Sequence, residues 1–229
     1  MSKSFTFAVM TVLLLMSVGS PVMAEVYVFG NPARFDRLAQ APAVPIPDSQ
    51  TAFPGTNCGI GDGGPTGAGY SVLIPFGTNN NSVTITGGSG PEYTLCIFDG
   101  GTMIFSVICG LSNTQPNFMT ANTIVEDTLK DLRLVFDRPV QAVAFTFLTN
   151  NTAKEVATFK DVAGNIIDTV DIDRFTPRND RAFVGFISRT PIKEVFLAIN
   201  VGNPGQNEGI QALKSAETET IPGRLASDD

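Results

Sequence analysis

The chain of 229 residues contains no histidine and no tryptophan, and it has only three cysteines. The lack of histidine excludes Ser-His-Asp and Cys-His catalytic centres as well as imidazole metal sites. Three cysteines cannot form a zinc site that is built from cysteine alone. Lysine and arginine number 15 against 22 acidic residues, and this balance argues against non-specific binding to nucleic acid or to an anionic membrane. We therefore expect a protein that is not an enzyme and that has no nucleic-acid partner.

Residues 1–24 have the pattern of a secretory signal peptide. Lys3 supplies a positive start, and residues 5–18 are an apolar run that is short for a bilayer crossing. Val22-Met23-Ala24 is an acceptable cleavage site, so the mature chain would begin at Glu25; the alternative is an uncleaved anchor helix. The first residue after that site is Glu25 and not a cysteine, so a lipid-modified N-terminus is not expected, and no later segment is long and apolar. The pattern predicts a secreted or periplasmic protein without a membrane anchor.

The remaining chain is predicted to form one domain over residues 25–214, followed by a flexible polar tail over 215–229. Composition changes near residue 125, because residues 38–125 contain no lysine or arginine. Neither side of this boundary has enough strands to close a core of its own. We interpret the two parts as halves of one sandwich.

One short helix is predicted near the N-terminus, where Asn31 caps a segment that begins at Pro32. Residues 41–55 carry four prolines and are predicted to be extended, and the glycine-rich residues 58–69 are predicted to be a loop. Short strands then recur between turn sequences. The predicted strands are 70–76, 82–86, 93–98, 102–109, 131–137, 140–148, 154–160, 165–173, 182–188, 192–200 and 208–214.

Apolar residues alternate with polar ones along several of these strands. Leu132, Leu134 and Phe136 share a face opposite Arg133, and the next strand follows after a predicted turn at Asp137-Arg138-Pro139. A second turn is predicted at Gly164-Asn165. This alternation, with a single helix, predicts an all-β protein with a two-layer antiparallel β-sandwich.

Three sequence segments follow one another in the second half of the chain: LVFDRPVQAVAFTF, FKDVAGNIIDTVDI and FVGFISRTPIKEVFLAI. Their order resembles a recurrent pattern of exported bacterial jelly-roll β-sandwich proteins, many of which carry a C-terminal Pro-Glu-Pro sorting tail. The resemblance covers roughly residues 130–200 and implies a jelly roll similar to galactose-binding-like and carbohydrate-binding modules. Two features depart from that pattern: the last strand reads NEGIQALKS, and the sorting tail is absent.

Four acids crowd one predicted hairpin: Asp161, Asp168, Asp171 and Asp173. Calcium prefers several oxygen ligands, so these residues are the candidate calcium site, and no other cofactor is expected. In the alternative interpretation, Asp161 opens the turn and the other three form a solvated face. The spacing does not match an EF-hand loop.

The three cysteines lie in a chain that is predicted to be exported, where disulfides are allowed. One bridge with one thiol left over is expected. Cys96 and Cys109 flank one predicted hairpin, and Cys58 remains an alternative partner for either.

Three functions are compatible with these features. The first is a non-catalytic module that binds a polysaccharide or another matrix polymer. The second is a structural or protein-interaction component of the envelope or matrix. The third is a glycoside hydrolase or lyase that uses carboxylates, but the acids lie mostly at predicted turns. Polar aromatic residues for a sugar platform are limited to Tyr27, Tyr70 and Tyr93. The arginines of the DRFTPRNDR segment could pair with uronic acids or with the neighbouring aspartates.

Overall fold

The computed structural model describes residues 26–47, 49–52, 66–69, 71–77, 80–87, 93–98, 118–123, 131–149, 154–172, 175, 180–201 and 209–217. The predicted signal peptide, the predicted strand 102–109 and most of the predicted tail lie outside these residues.

The described chain is mostly β-structure. It contains one short helix, one isolated helical turn and eleven strands, and every pair of neighbouring strands is antiparallel. In chain order the elements are β1 (Val26–Phe29), α1 (Pro32–Ala39), α2 (Ser49–Ala52), β2 (Thr66–Gly69), β3 (Ser71–Phe76), β4 (Asn81–Gly87), β5 (Tyr93–Phe98), β6 (Phe118–Thr123), β7 (Leu132–Thr149), β8 (Lys154–Lys160), β9 (Ile166–Asp171), β10 (Asp180–Val201) and β11 (Gly209–Ala216).

Two long strands, β7 and β10, organise the sheet. The strands are ordered β2-β5-β6-β11-β7-β10-β8-β9, while β1 pairs with β10, β4 with β7, and β3 with β4. Residues 180–187 of β10 pair with β7 residues 142–149, and residues 194–197 pair with 132–135. Each long strand therefore belongs to two parts of the sheet.

We call these parts the helix half and the hairpin half. The helix half contains β1, β2, β5, β6 and β11 together with the first part of β10 and the second part of β7. The hairpin half contains β3, β4, β8 and β9 with the remaining parts of the two long strands. Because the two halves share β7 and β10, the sheet is continuous and curls.

The sheet bends where sequence analysis predicted the Asp137-Arg138-Pro139 turn, but no turn forms there, and that prediction is wrong. The side chain of Asn81 replaces a strand partner at the bend. Its Oδ1 accepts from the Arg138 N–H at 2.8 Å, and its Nδ2 donates to the Arg138 carbonyl at 3.0 Å. Because both backbone groups of Arg138 are satisfied, β7 continues through the bend.

The corresponding irregularity in β10 is a register shift between Ile187 and Ile192. The Ser188 hydroxyl accepts from the Thr190 N–H at 3.2 Å within this shift. Each long strand was predicted as two shorter strands, because the residues of a bulge or a bend resemble turn residues when the partner strand is not known.

One apolar core lies between the two halves. The Phe159 ring of β8, in the hairpin half, lies 4.8 Å from the Phe186 ring of β10, in the helix half. Phe145 of β7 lies 5.8 Å from the same Phe186 ring. The predicted inward face of Leu132, Leu134 and Phe136 is confirmed, since all three are fully buried. Burial of such side chains stabilises the fold by about 1.5–3 kcal/mol each.

Helix α1 covers the outer face of the helix half. Asn31 caps it as predicted, with its side chain accepting from the Arg34 N–H at 3.1 Å. Phe35 is fully buried against Phe29 and Phe183. Gly185 lies beneath this ring, and a Cβ placed there would come within 2.5 Å of Phe35 Cδ2. Lys214 of β11 then anchors the helix through Asp36, at 2.6 Å.

The coarse prediction of an antiparallel, mostly-β fold with a short N-terminal helix is confirmed, and strand 154–160 is found at its predicted bounds. Three local predictions differ. The proline-rich stretch holds the helical turn α2, residues 66–69 of the predicted loop form β2, and β1 and β6 were not predicted. Strand β11 also continues through Ser215 and Ala216, both buried, so the folded region extends into the predicted tail.

Candidate functional site

The outer face of the hairpin half has two ordered rows of side chains, and we call these rows the hairpin face. Along β3, residues alternate between exposed and buried positions, and along β4 between partly buried and buried ones. The strand register then aligns the outward residues across six strands. The first row is Leu73, Thr84, Val135, Glu194, Lys160 and Ile166. The second row is Ser71, Thr86, Arg133, Phe196, Thr158 and Thr169.

The rows run straight across the strands, so the face is an extended surface and not a cleft. Six strands at a spacing of about 4.8 Å span about 24 Å. Hydroxyl groups of serine and threonine occupy both sides of the second row. On one side, the Thr158 and Thr169 hydroxyls lie 3.5 Å apart. The centre of the face is charged and partly aromatic.

The centre of the hairpin face is an ion network on three adjacent strands. Glu194 of β10 accepts from Arg133 Nη2 at 2.5 Å through Oε2. Through Oε1 it accepts from Lys160 Nζ at 2.8 Å. The Glu194 side chain is 11% exposed, whereas Arg133 and Lys160 are 46% and 35% exposed. One sheltered carboxylate thus fixes two cations at the surface.

Burial alone raises the pKa of Glu194, since it disfavours the charged carboxylate. The hydrogen bonds from Arg133 and Lys160, and then their positive charges, outweigh burial and hold the pKa below its ordinary value. Glu194 therefore remains ionised near neutral pH. A general acid needs a raised pKa, so this carboxylate is suited to positioning cations and not to donating a proton.

Apolar side chains border the hairpin face. Among the described residues, the large hydrophobic side chains that are most exposed are Leu73 at 64%, Val162 at 69% and Ile166 at 65%. Leu73 and Ile166 end the first row, and Val162 lies in the turn next to Ile166. Leu73 therefore lies at one end of the face and Ile166 with Val162 at the other, so these side chains border the face without forming one continuous patch.

The predicted calcium residues are separated in the structure. Asp161 lies in the β8–β9 turn, where Oδ1 accepts from the Ala163 and Asn165 N–H groups at 2.8 Å. Oδ2 accepts from Asn165 Nδ2 at 3.0 Å. This side-chain bond is the largest cause that lowers the pKa of Asp161. The predicted Gly164-Asn165 turn is confirmed, with Gly164 at a positive φ of 84°.

Asp168 and Asp171 project from opposite faces of β9. Asp168 pairs with Phe159, which faces the core, whereas Asp171 pairs with Val156 on the outer side. Asp173 lies outside the described residues. Within the described part of the chain, no group of three or more His, Cys, Asp or Glu side chains could hold a metal ion. Calcium binding through these aspartates stays a prediction.

The other sequence candidates are only partly described. Cys58 and Cys109 lie outside the described residues, and Cys96 is in β5 with its side chain not described. Tyr27 is not an exposed platform, because it is 5% exposed and Arg189 lies over its ring at 5.7 Å. Tyr70, Arg174 and Arg178 lie outside the described residues, while the side chains of Tyr93 and Arg181 are not described.

The residues of the central network are widely separated in the chain, at Arg133, Lys160 and Glu194, so no local sequence pattern indicates it. Alternation indicates that Arg133 faces outward, but only the strand register brings it to Glu194. The expectation that acids lie mostly at turns also failed to identify Glu155 and Glu194. Both are strand residues, 1% and 9% exposed.

Comparisons with known proteins add no assignment: no family model, curated protein or solved structure matches this chain. In the described part of the chain, neither helix has the length and apolar character needed to span a membrane. The candidate site therefore depends on its own geometry.

Proposed function

We propose that this protein is an exported, non-catalytic binding module, and that its hairpin face binds a carbohydrate or a related matrix polymer. The apolar run at residues 5–18 and the cleavage pattern at Ala24 support export. The expected compartment is the periplasm or the outside of the cell.

The hairpin face is the single observation that carries this proposal. It combines hydroxyl groups, hydrogen-bond donors and a partly buried aromatic ring, Phe196, on one extended surface. A polymer chain can contact such a surface over several units without entering a pocket. The lowered pKa of Glu194 argues against a role for this carboxylate as a general acid.

The curled sheet also supports a finer description of the fold as a jelly-roll-like sandwich. Phe159 and Phe186 meet across the core from the two halves, as facing layers require. In that description the hairpin face is the solvent side of one layer. Fold alone does not identify a ligand, so the proposal depends on the face and not on the architecture.

Affinity electrophoresis of the mature protein tests this function. Gels contain one neutral or one acidic polysaccharide, and we expect at least one polymer to retard migration. Phe196→Ala should abolish this retardation, because it removes the ring at the centre of the face. Arg37→Gln, on the exposed side of α1, is the control, and relative to its own migration in a polymer-free gel it should be retarded as much as the unmodified protein is. Normal migration in every polymer would overturn the proposal.

A protein partner is the second candidate, and the exposed Leu73, Val162 and Ile166 favour it. A matrix or envelope protein could bury these side chains in an interface, whereas a polysaccharide would leave them exposed to solvent. Light scattering of the purified protein tests self-association directly. A dimer that Leu73→Ser and Ile166→Ser convert to a monomer would support a structural role, and a monomer at all concentrations would remove this form of it.

A further inference from the structure

We propose that the centre of the hairpin face recognises an acidic sugar unit, whose carboxylate binds between Arg133 and Lys160. This inference rests on the proposed function, since it names the ligand class of the same face. The expected ligand is a polysaccharide that contains uronic acids. A sulfated polysaccharide offers the same anion chemistry from another source.

The centre offers hydrogen-bond donors at the surface, and its one carboxylate is already bonded to both cations. Each oxygen of Glu194 already accepts from one cation, Oε2 from Arg133 and Oε1 from Lys160. The Glu194 side chain is also 11% exposed, so a ligand hydroxyl has little access to it. Arginine has five N–H donors and lysine has three, so both cations retain donors after bonding to Glu194. The groups that a ligand reaches most easily at this point are therefore donors, and a ligand that supplies acceptors fits them.

Two tethered cations suit a carboxylate better than a neutral hydroxyl. Charge-assisted hydrogen bonds are roughly twice as strong as neutral ones, and a guanidinium matches the planar carboxylate. Arg133 and Lys160 carry two positive charges against one on Glu194, which leaves one net positive charge at the centre. The whole chain has a net charge of −7, so this local excess is opposite in sign to the molecule. Asp137 and Asp171 are also exposed on this side, and both lie beyond the two central rows.

The strand register gives the site the size of a sugar unit. Val135, Glu194 and Lys160 align in one row, and Arg133, Phe196 and Thr158 align in the next. Three strands and two outward positions cover about 10 by 7 Å. Phe196 lies directly between Arg133 and Thr158 in this grid. A sugar ring resting on Phe196 would have Arg133 on its β7 side and Thr158 on its β8 side, and a carboxylate directed from the ring toward the first row would lie over Glu194, between Arg133 and Lys160.

Glu194 acts as a positioning residue in this arrangement. Free lysine and arginine side chains lose considerable rotamer entropy when a ligand fixes them. The bonds to Glu194 restrain both side chains before the ligand arrives, which reduces that loss on binding.

The experiment compares polygalacturonate with its fully methyl-esterified form, using isothermal titration calorimetry on the mature protein. Esterification removes the charge and preserves the sugar backbone, so it isolates the carboxylate. We expect the acidic polymer to bind at least about tenfold more tightly, which corresponds to about 1.4 kcal/mol. The Arg133→Gln and Lys160→Gln variants should each lose this preference. Arg37→Gln removes a surface cation from the helix half and should keep it. Circular dichroism of every variant establishes that it is folded.

The outcomes separate this inference from the proposed function. Equal binding of both polymers would overturn the acidic-sugar inference and leave the binding module standing. Binding of the acidic polymer that Arg133→Gln and Lys160→Gln do not weaken would also overturn it. Binding of dextran sulfate that is lost in both variants would support the donor site with sulfate as the anion. No binding of any polymer, neutral or acidic, would overturn the proposed function itself.

Discussion

Replacing Gly185 with alanine tests how α1 is seated on the sheet. The new Cβ would lie 2.5 Å from Phe35 Cδ2 and 2.9 Å from Cγ. Carbon atoms in good contact lie about 3.5–4.0 Å apart, so the ring must move by about 1 Å or more. It has little room to do so, because Phe35 is fully buried and its ring lies 5.6 Å from Phe183 and 6.3 Å from Phe29.

Overpacking of this kind typically costs about 1–3 kcal/mol, and the rigid surroundings of Phe35 place Gly185→Ala near 3 kcal/mol. For a chain of this size, that loss corresponds to a fall in Tm of about 6–12 °C. Urea unfolding followed by circular dichroism measures the free energy of unfolding directly. Gly77→Ala is a comparison, since a Cβ at Gly77 meets no atom within 4 Å and its cost arises only from the positive φ of 71°.

A double-mutant cycle with Phe35→Ala decides whether the clash is the cause. Phe35→Ala alone should cost about 3–5 kcal/mol, because it removes a buried ring. In that background only Phe183 Cε1 lies close to the new Cβ, at 3.1 Å, so adding Gly185→Ala should cost much less than it does in the unmodified protein. Equal costs of Gly185→Ala in both backgrounds would refute the contact and indicate a backbone requirement for glycine.

Three further predictions concern the bend, the ion network and calcium. Asn81→Ala leaves both backbone groups of Arg138 without the Asn81 side chain and should lower the free energy of unfolding by about 2–4 kcal/mol; Asn81→Asp should not recover this loss, because a buried carboxylate oxygen would face the Arg138 carbonyl to which Nδ2 now donates. Because the pKa of Glu194 is lowered in the folded state, its contribution to stability is present above about pH 4 and is lost as pH falls through the folded pKa. A Tm series from neutral to acid pH should therefore fall less steeply for Glu194→Gln than for the unmodified protein; parallel curves would contradict the pKa argument. If the predicted calcium site forms, saturating calcium should raise the Tm above its value in EDTA, and it must then compete with the bonds that the Asp161 oxygens accept within the turn; the same Tm in both would overturn the calcium prediction.

The β-character and the inward faces could be predicted because they depend on local alternation. Leu132, Leu134 and Phe136 are buried, as their alternation with polar residues predicts. The cap at Asn31 could also be predicted, because it is a contact between residues that are close in sequence. The lengths of β7 and β10 could not be predicted in the same way. Whether Arg138 turns or continues depends on Asn81, which is 57 residues away in sequence.

The candidate site was missed for a related reason. The register of strand pairing determines which side chains are neighbours on a sheet surface. This register depends on the partner strands, so the sequence of one strand does not reveal it. Arg133 and Glu194 are 61 residues apart and meet only because Val135 pairs with Glu194 and Arg133 with Phe196. A shift of one residue in that pairing would turn Glu194 into the core.

The core and the hairpin face therefore depend on the same two long strands. Phe186 and Glu194 both belong to β10, one packed in the core of the helix half and one bonded on the outside of the hairpin half. The register shift between Ile187 and Ile192 lies between them and sets which side chains of the second part face outward. A variant that deletes one residue from 188–191 should either restore the shift elsewhere or unfold the hairpin half. If the second part of β10 instead moved by one residue against β7, alternation would turn the Glu194 side chain into the core. The Arg133–Glu194 contact would then be lost, because the carboxylate would be buried away from both cations.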